Sequence, residues 1–537
     1  MSRNEGGQHR NDGGRNDRND GGRNDRGGRN DRSGGRGGRG SHDRGGQRGR
    51  GGQGGQRGQR GQDQRQPRAR ISAPRLVAYD VLRDVDEREA YANLALPARV
   101  RDAGLDSRDA GLATELVAGA LRWRGRYDRI IELASGRAID DVDPRTRNVL
   151  RLGVHQLLGM RTAAHAAVNE SVELQRRVAN QNAAGFVNGV LRAVGRRSNE
   201  EWDAEIRSTA DSADAALATV RSHPAWVLRA LRETLRSEGR EEELDALLAA
   251  DNDAPRVSLV VLPGSGADPE RLVEDEHAST PDPLLALRGP SPIGLELAGG
   301  DPARAISEAG LPEGELRVQD QGSQLAALAL SRVRPVRRGE RWLDLCAGPG
   351  GKTAVLGAEA RVGGATVRAN EVSEHRAELV RRSVTAVSDT VEVVSHDGRD
   401  DAAYGGETFD RILVDAPCTG LGALRRRPEA RWRKQPADLP VLTALQSELL
   451  DAAVAHLAPG GILAYVTCSP HLAETRIAVD RLLRRTPGIV ELDARAAVGA
   501  VARGEIDLAG EALSAQLWPH RHGTDAMFVA LLQREDA

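Results

Sequence analysis

Arg341-Trp-Leu-Asp-Leu-Cys-Ala-Gly-Pro-Gly-Gly-Lys-Thr353 runs from a short apolar segment into a glycine-rich turn that opens a helix. The apolar start suits a strand of a sheet. Gly348, Gly350 and Gly351 allow backbone amides to approach a ligand at the N-terminus of the helix. Turns of this kind bind dinucleotides, phosphates or S-adenosylmethionine, so the stretch alone predicts a ligand-binding loop whose ligand class stays open.

Strands and helices alternate around this loop, from about residue 316 to residue 537. Helices are predicted between most of the strands, including residues 373–387 and 440–457. The predicted strands are residues 342–345, 365–371, 391–395, 412–416, 462–467 and 527–532. This alternation predicts an α/β fold, a doubly wound, Rossmann-like parallel sheet, in which ligands bind beyond the carboxyl ends of the strands.

The chain of 537 residues is too long for one core, and its composition changes along its length. Residues 1–68 carry 17 Arg against 8 Asp and Glu, although the whole chain has a net charge of −2. Gly, Arg, Asn, Asp and Gln recur there with almost no apolar residue, which predicts a disordered basic tail. Such a tail suits either RNA backbone binding or a purely solubilising role.

Residues 69–200 have apolar side chains at helical spacing and are predicted to form an all-α bundle. Arg residues lie there beside Trp123 and Tyr127, a combination that fits RNA contact and fits solvated helix faces equally well. Residues 201–315 are mixed, and they predict a loop-rich linker with short strands and little readable chemistry.

The chain has three cysteines, Cys346, Cys418 and Cys468, each predicted at the end of a strand. They are too few and too far apart for a disulfide framework or a zinc site, so we expect a reducing compartment and no metal. Cys346 is interpreted as a packing residue, whereas the other two lie beside a proline in a turn and suit chemistry. Without a signal core or a membrane-length apolar run, we expect a cytoplasmic monomer with no membrane partner.

Charged residues near the loop narrow the class of ligand. Lys352 is one of only two lysines in an Arg-rich chain, which indicates a need for a compact ammonium group. Glu371 follows the second predicted strand, where Rossmann-like folds place a ribose-binding carboxylate, and Asp397 ends the third strand, where it can meet an adenine. A phosphate-binding P-loop is the main alternative, because residues 351–353 match its last positions, but Cys346 stands at its first glycine.

A nucleoside cofactor beside strand-end thiols predicts chemistry on a pyrimidine ring. Carbon 5 of cytosine is a poor nucleophile until a thiolate adds to carbon 6 and creates an enamine, which can attack an electrophilic methyl group. A carboxylate near ring nitrogen 3 supports this addition, and Asp415 lies close to Cys418 in the sequence. The base must leave its stack to reach such a pocket.

Asp415-Ala-Pro-Cys-Thr-Gly420 and Thr467-Cys-Ser-Pro470 resemble motifs of the RNA 5-methylcytosine methyltransferases of the Nop2/Sun group. The same resemblance extends to residues 318–324, 344–353, 425–429 and 525–528. Upstream, the chain resembles the NusB-like RNA-binding domain at residues 91–94, 113–119, 150–158, 165–168 and 185–192. Together they imply methylation of cytosine carbon 5 in ribosomal RNA, with 16S rRNA and the equivalent of cytosine 967 as the expected target.

The resemblance also implies roles for individual residues. Cys468 attacks carbon 6 and Cys418 assists release of the methylated RNA. Asp415 holds the base, and Lys352 shapes the pocket shared by base and cofactor. Thr419 replaces the Ser that the family often has at that position, with the chemistry kept.

S-adenosylmethionine is the cofactor that the resemblance implies. Glu371 would bind its ribose, where the family usually has Asp, and Asp397 would bind its adenine. The backbone of Cys346, Ala347, Gly348, Pro349, Gly350 and Gly351 would contact its methionine part, and Lys352 and Asp415 are further implied cofactor-binding residues.

Two other functions remain open at this point. One is a non-catalytic RNA-binding assembly factor with an inactive methyltransferase fold, and the other is a nucleotide hydrolase. The same methylation on another rRNA or tRNA cytosine is a third possibility. The presence of both cysteines, Asp415 and Lys352 favours an active methyltransferase.

Overall fold

The computed structural model describes residues 72–279 and 284–536. The predicted tail, residues 1–68, lies outside the described residues. The described residues belong to one compact unit. None of the described helices combines the length and the apolar character that a bilayer crossing requires.

The N-terminal part of the described chain is helical, as the sequence predicts. Asp106 caps α3 and Asp143 caps α5, each by accepting a hydrogen bond from a backbone amide of the first turn. The apolar faces meet in one core around Leu116, Ile130 and Val149. The helices are α1 Ala73–Arg88, α2 Ala92–Asp102, α3 Ser107–Arg122, α4 Arg124–Ser135, α5 Pro144–Leu158, α6 Ala164–Val178 and α7 Ala184–Val194.

The middle of the chain is more ordered than the loop-rich linker that the sequence predicts. Four further helices come first, α8 Asn199–Ser208, α9 Ala213–Val220, α10 Ala225–Ser237 and α11 Leu244–Ala250. Then follow β1 Ser258–Val261, α12 Pro269–Ser279, β2 Leu285–Ala286, β3 Gly294–Leu297, α13 Pro302–Glu308 and β4 Leu316–Val318. Within the described residues the four strands form an antiparallel sheet of order β2-β3-β1-β4 with an apolar core of its own.

The C-terminal part alternates strands and helices around a larger sheet. It begins with α14 Gln321–Arg332, β5 Arg341–Asp344, α15 Gly351–Gly363, β6 Thr366–Asn370, α16 Glu374–Ser383, β7 Val391–Val394 and β8 Phe409–Asp415. It continues with α17 Ala430–Arg433, α18 Asp438–Ala455, β9 Leu457–Thr467, α19 Arg476–Arg485, β10 Ile489–Leu492, α20 Ala494–Val501, β11 Ala515–Gln516, α21 Pro519–His522 and β12 Phe528–Arg534.

Two apolar layers cover this sheet, one on each face. Helices α14, α15 and α20 supply side chains such as Leu328, Leu356 and Val498 to one core, and α18 and α19 supply Leu450 and Leu482 to the other. The observed order is β10-β12-β9-β8-β5-β6-β7, which confirms the predicted Rossmann-like fold class. The sheet is mixed, however, because β12 pairs antiparallel with both β9 and β10.

Residues 425–434, called the linking segment below, connect the large sheet to the helical regions. The side chain of Arg431 is fully buried and donates to the carbonyls of Ser222 (3.0 Å) and Asp251 (3.1 Å). Glu429 accepts a hydrogen bond from the amide of Ala92 at 3.2 Å. The segment comes shortly after the Cys418 turn in the chain. Its hydrogen bonds therefore hold this turn close to the N-terminal helices and to the helices of the middle region.

Candidate active site

The carboxyl ends of the parallel strands define a crevice. From β5 the chain continues through β6 and β7 on one side, and then crosses to β8 and β9 on the other. Such a switch point between β5 and β8 is where open α/β sheets bind their ligands. All the site residues that the sequence predicts lie in the β5–α15 loop and its helix start, or at or just beyond the ends of β6, β7, β8 and β9.

The glycine-rich loop between β5 and α15 needs its glycines. Gly348 and Gly350 have positive φ angles of 57° and 85°, which side chains disfavour. A Cβ on Gly350 would lie 2.6 Å from the Cβ of Ser383 and 3.1 Å from the Cα of Val380. The loop therefore packs closely against α16, and α15 begins at Gly351 with its first-turn amides facing the crevice.

Lys352 and Asp415 join the two strands that flank the switch point. The Nζ of Lys352 lies 2.8 Å from Oδ2 of Asp415, and the lysine is only 8% exposed. Burial opposes the charged lysine, but the charge and the hydrogen bond of Asp415 outweigh it and raise the pKa of Lys352. A fixed ammonium group therefore lies between the predicted cofactor loop and the thiols.

Cys418 and Cys468 come together across the ends of β8 and β9. Their sulfur atoms are 3.5 Å apart, and both side chains are partly exposed. A hydrogen bond from Cys418 lowers the pKa of Cys468, with Lys352 acting in the same direction and burial against it. The pair thus contains one thiol that ionises more readily than its neighbour.

Sequence reasoning missed Glu474, a buried carboxylate under both cysteine turns. It accepts hydrogen bonds from the amide of Thr419 (2.7 Å) and from the hydroxyls of Thr419 (2.5 Å) and Ser469 (2.6 Å). Gln446 of α18 donates to the carbonyl of Pro417 at 2.8 Å beside it. Its position six residues after Cys468, beyond a turn, matches no strand-end pattern in the sequence.

The predicted ribose and adenine residues lie past β6 and β7. Glu371 is 3% exposed, and it accepts a hydrogen bond from the amide of Ser373 and pairs with Arg376 at 3.1 Å. Asp397 is half-buried and paired with Arg399 at 2.6 Å, and the two line a pocket of about 560 Å³. The guanidinium of Arg399 lowers the pKa of Asp397 to about 2.

Asn370 is a second residue that sequence reasoning missed. It is 1% exposed, its amide group donates to the carbonyl of Leu345 at 3.2 Å, and its oxygen accepts from the amide of His396 at 3.1 Å. It therefore fixes the loops after β5 and β7 to the end of its own strand, β6. Only its place before Glu371 in the sequence could have indicated this role.

The buried carboxyl group of Asp344 and the half-buried thiol of Cys346 lie at the start of the glycine-rich loop. Burial raises the pKa of Asp344 to about 7, despite a 2.7 Å hydrogen bond from the hydroxyl of Thr353. Burial also raises the pKa of Cys346 well above its usual range. A thiol that stays protonated is consistent with the predicted packing role of Cys346.

A polar cofactor fits the residues around this loop. Gln319 is 6% exposed, and its Oε1 has no hydrogen-bond partner among the described residues. Its amide nitrogen lies 3.8 Å from where a Cβ of Gly351 would be. A buried acceptor without a partner beside a helix N-terminus suits a ligand that carries both ammonium and carboxylate groups.

A sheet of this order, with a glycine-rich loop after β5 and acids after β6 and β7, defines a Rossmann-like methyltransferase domain behind a helical RNA-binding-type domain. The family model for 16S rRNA methyltransferase RsmB/F matches residues 333–533, and the NusB family model matches residues 72–196. The ribosomal RNA small subunit methyltransferase B of Pseudomonas putida is 34% identical over 434 residues, which are 78% of this chain and 91% of that protein. The chain therefore belongs to the RsmB/F family of 16S rRNA methyltransferases.

Other relatives agree with this assignment. The Mycobacterium tuberculosis protein Rv1407 is 46% identical over 476 residues, which are 88% of this chain and 98% of that protein. The crystal structure of PH0851 superposes with a TM-score of 0.69 at 21% identity, over 87% of this chain and 100% of that chain. The structural likeness supports the fold over nearly the whole described chain.

Proposed function

We propose that the protein methylates carbon 5 of a cytosine in 16S rRNA, with S-adenosylmethionine as the methyl donor, through a covalent bond between Cys468 and the base. The observation that carries this proposal is the pair of thiols 3.5 Å apart beside the Lys352–Asp415 ion pair. A packing role alone would not require two cysteines at adjacent strand ends to face the same crevice.

Cys468 is the nucleophile in this mechanism. Its thiolate adds to carbon 6 of the cytosine, a carbon–sulfur bond forms, and the electrons of the 5,6 double bond become available at carbon 5. Asp415 and Lys352 would lie near ring nitrogen 3, where the ammonium group of Lys352 stabilises the negative charge that the addition places on the ring and the carboxylate of Asp415 holds that ammonium group in position. Bound S-adenosylmethionine supplies the electrophilic methyl group that carbon 5 takes up.

Cys418 acts in the release of the methylated base. After methyl transfer, carbon 5 carries an extra proton, whose loss returns an electron pair to the ring. The 5,6 double bond then forms again, and the bond between carbon 6 and Cys468 breaks with its electrons returning to sulfur. Cys418 lies next to this sulfur, and its protonated thiol would give its proton to the departing sulfur of Cys468 and then take up the proton from carbon 5.

The residues around the glycine-rich loop would hold the donor. The backbone from Cys346 to Gly351, together with the orphaned oxygen of Gln319, would bind the amino and carboxylate groups of its methionine part. Glu371 would bind the ribose hydroxyls, and Asp397 would bind the adenine. Asp415 and Lys352 would lie at the boundary between the donor site and the site for the base.

Covalent trapping tests the division of labour between the cysteines. Cys418→Ala should accumulate a protein–RNA adduct that survives denaturing gels, because attack proceeds and release fails. Cys468→Ala should give no adduct and no methylation. The opposite outcome would exchange the two roles, and methylation that persists without either thiol would refute covalent catalysis.

The identity of the RNA target is tested separately. Bisulfite sequencing of 16S rRNA from a strain that lacks the gene should show one cytosine, at the equivalent of cytosine 967, losing its protection. Complementation with the wild-type gene should restore protection, and complementation with Cys468→Ala should not. Loss of protection at a tRNA or 23S rRNA position instead would redirect the proposal to that RNA.

A further inference from the structure

Glu474 is a fully buried carboxylate for which the mechanism above has no use. It ends the 3-10 turn Leu472–Glu474, between the Cys468 turn and α19. Among the described residues, no Lys, Arg or His nitrogen lies within 4.0 Å of it. Burying a carboxylate without a cation is costly, so a compensating role is expected.

Three hydrogen bonds to the carboxylate of Glu474 come from the two cysteine turns, and a fourth comes from the side-chain amide of Gln446 at 3.4 Å. Oε1 accepts from the amide of Thr419 at 2.7 Å, and Oε2 accepts from the hydroxyls of Thr419 (2.5 Å) and Ser469 (2.6 Å). Thr419 directly follows Cys418, and Ser469 directly follows Cys468. The backbone carbonyl of Glu474 accepts from the buried hydroxyl of Tyr465 at 2.7 Å. One carboxylate thus joins the two turns that carry the thiols.

We propose that Glu474 is a positioning residue that fixes the spacing of the two thiols and, through its charge on the Cys418 side, keeps Cys418 protonated so that Cys468 becomes the nucleophile. The roles of the thiols rest on the proposed function, whereas the effect of Glu474 on them can be tested without RNA.

The two thiols differ in the charged groups around them, and Glu474 acts on Cys418 alone. The hydrogen bond to Cys468 and burial raise the pKa of Cys418, and the charge of Glu474 adds to them. The hydrogen bond with Cys418 lowers the pKa of Cys468 and Lys352 acts in the same direction, whereas burial, Asp415 and Asp525 raise it. The charged groups that face the pair are Lys352, Asp415, Glu474, Asp525 and Arg426, with Tyr465 as a further titratable group.

Alkylation of a single cysteine tests the charge effect. In full-length protein carrying Cys346→Ser and Cys468→Ala, Cys418 is the remaining thiol. Adding Glu474→Gln should make iodoacetamide react with it about tenfold faster at pH 8, because loss of the carboxylate charge lowers the pKa of Cys418 and increases its thiolate fraction. Glu474→Asp keeps the charge and should leave the rate within about twofold.

A matched control separates this effect from a general loss of packing. Glu340 is also buried and accepts hydrogen bonds from Trp342 and Arg411, both at 2.8 Å, but it lies directly before β5, at the amino ends of the parallel strands and away from the thiols. Glu340→Gln should lower thermal stability without changing the alkylation rate. Equal rates for Glu474→Gln and its parent, or equal acceleration by Glu340→Gln or Glu474→Asp, would overturn the proposal.

The effect of Glu474 on the spacing of the thiols is tested by measuring the rate of RNA methylation. With all cysteines restored, Glu474→Asp cannot reach both turns, so turnover should fall about 100-fold although Cys418 keeps its low reactivity. Turnover within threefold of wild type in that variant would overturn the spacing role. If wild-type protein itself failed to methylate RNA, the proposed function would fall, and the alkylation result would still decide the charge effect of Glu474.

Discussion

Lys352 shows how one side chain constrains the crevice. Its ammonium group is nearly enclosed and lies within hydrogen-bond distance of Asp415, at the boundary between the glycine-rich loop and the thiols. An arginine at this position would carry the same charge in a wider planar group with different bonding geometry. In a chain where Arg supplies nearly every other cation, the space at this point explains why a lysine is present.

Lys352→Arg should therefore lower turnover about 100-fold, because the guanidinium would displace Asp415 from the base-binding edge. Steady-state methylation of a 16S rRNA fragment measures this change. Lys434→Arg, at the other lysine of the chain, serves as the matched control and should leave turnover within twofold. Normal activity of Lys352→Arg would mean that only the charge at this position matters.

Asp344 should make stability depend on pH in a predictable direction. An unfolded aspartate titrates at about 3.9, whereas burial raises the pKa of Asp344 to about 7. Between these values the folded protein keeps a proton that the unfolded chain has lost. The contribution of Asp344 to stability is therefore full below pH 4 and falls by about 1.4 kcal/mol per pH unit until pH 7.

Asp344→Asn removes this dependence and still accepts the hydrogen bond from Thr353. Its free energy of unfolding, relative to wild type, should rise by about 3 kcal/mol between pH 5 and pH 8 in urea titrations. The other titrating groups are common to both proteins and cancel in the difference. A difference that is constant across this range would show that Asp344 is ionised in the fold.

At the scale of elements, the 3-10 turn that contains Gly422 sets how closely the two cysteine turns approach. The amide of Gly422 donates to the carbonyl of Cys468 at 2.8 Å. A Cβ on Gly422 would lie 2.0 Å from the carbonyl oxygen of Ala526 and 2.8 Å from that of Cys468. Both neighbours are backbone atoms, so neither can move aside without shifting its own turn.

Gly422→Ala should separate the thiols, lower turnover about 100-fold and destabilise the fold by about 2 kcal/mol. Methylation assays and thermal melts measure the two effects. Gly499→Ala in α20 is the matched control, because nothing lies within 4 Å of its Cβ position. That variant should be fully active and slightly more stable.

The sequence was sufficient to predict most strands of the large sheet, but it missed β10 and β11 and the direction of β12. The alternation of strands and helices located β5 to β9, and because these strands are parallel it also predicted that residues at their ends would meet. The same pattern cannot tell whether a last strand runs forward or back, so β12 was located but its antiparallel direction was missed. Short strands were predicted in the middle region, but their assembly into one sheet was not, because they are two to four residues long and are separated by Gly and Pro.

The candidate site also contains both residues that the sequence predicts and residues that it does not. Lys352, Cys418 and Cys468 carry chemistry that a sequence motif displays directly, and the structure brings them together. Glu474 and Asn370 act through hydrogen bonds between loops that are distant in sequence. Their positions follow from the packing of the loops, which no local pattern encodes.

At the scale of the whole molecule, the linking segment presents cations beside an exposed aromatic ring. The guanidinium carbons of Arg427 and Arg433 lie 5.5 Å and 5.0 Å from the ring centroid of Tyr91, which is 44% exposed. Arg433 is held by carbonyls of the helical region, whereas Arg427 is exposed. Arg427 is thus available to contact an RNA backbone that enters the crevice past Cys418.

Arg427→Gln should raise the KM for RNA about tenfold with kcat unchanged, and it should reduce the slope of log affinity against log salt by about 1. Filter binding at several salt concentrations measures the slope. Arg338→Gln, an exposed arginine at the opposite edge of the sheet, should change neither quantity. A fall in kcat at unchanged KM would assign Arg427 to the chemical step instead.

The buried position of Arg431 has a consequence for dissecting this protein. Its guanidinium lies in the catalytic half of the chain, whereas its acceptors, Ser222, Asp251 and Asn252, lie well before that half begins. A fragment that starts at the large sheet would leave this cation without its acceptors and would free the chain just beyond Cys418. The catalytic half therefore depends on the helices of the middle region, and shortened versions for assay or crystallisation should keep residues 198–252 in place.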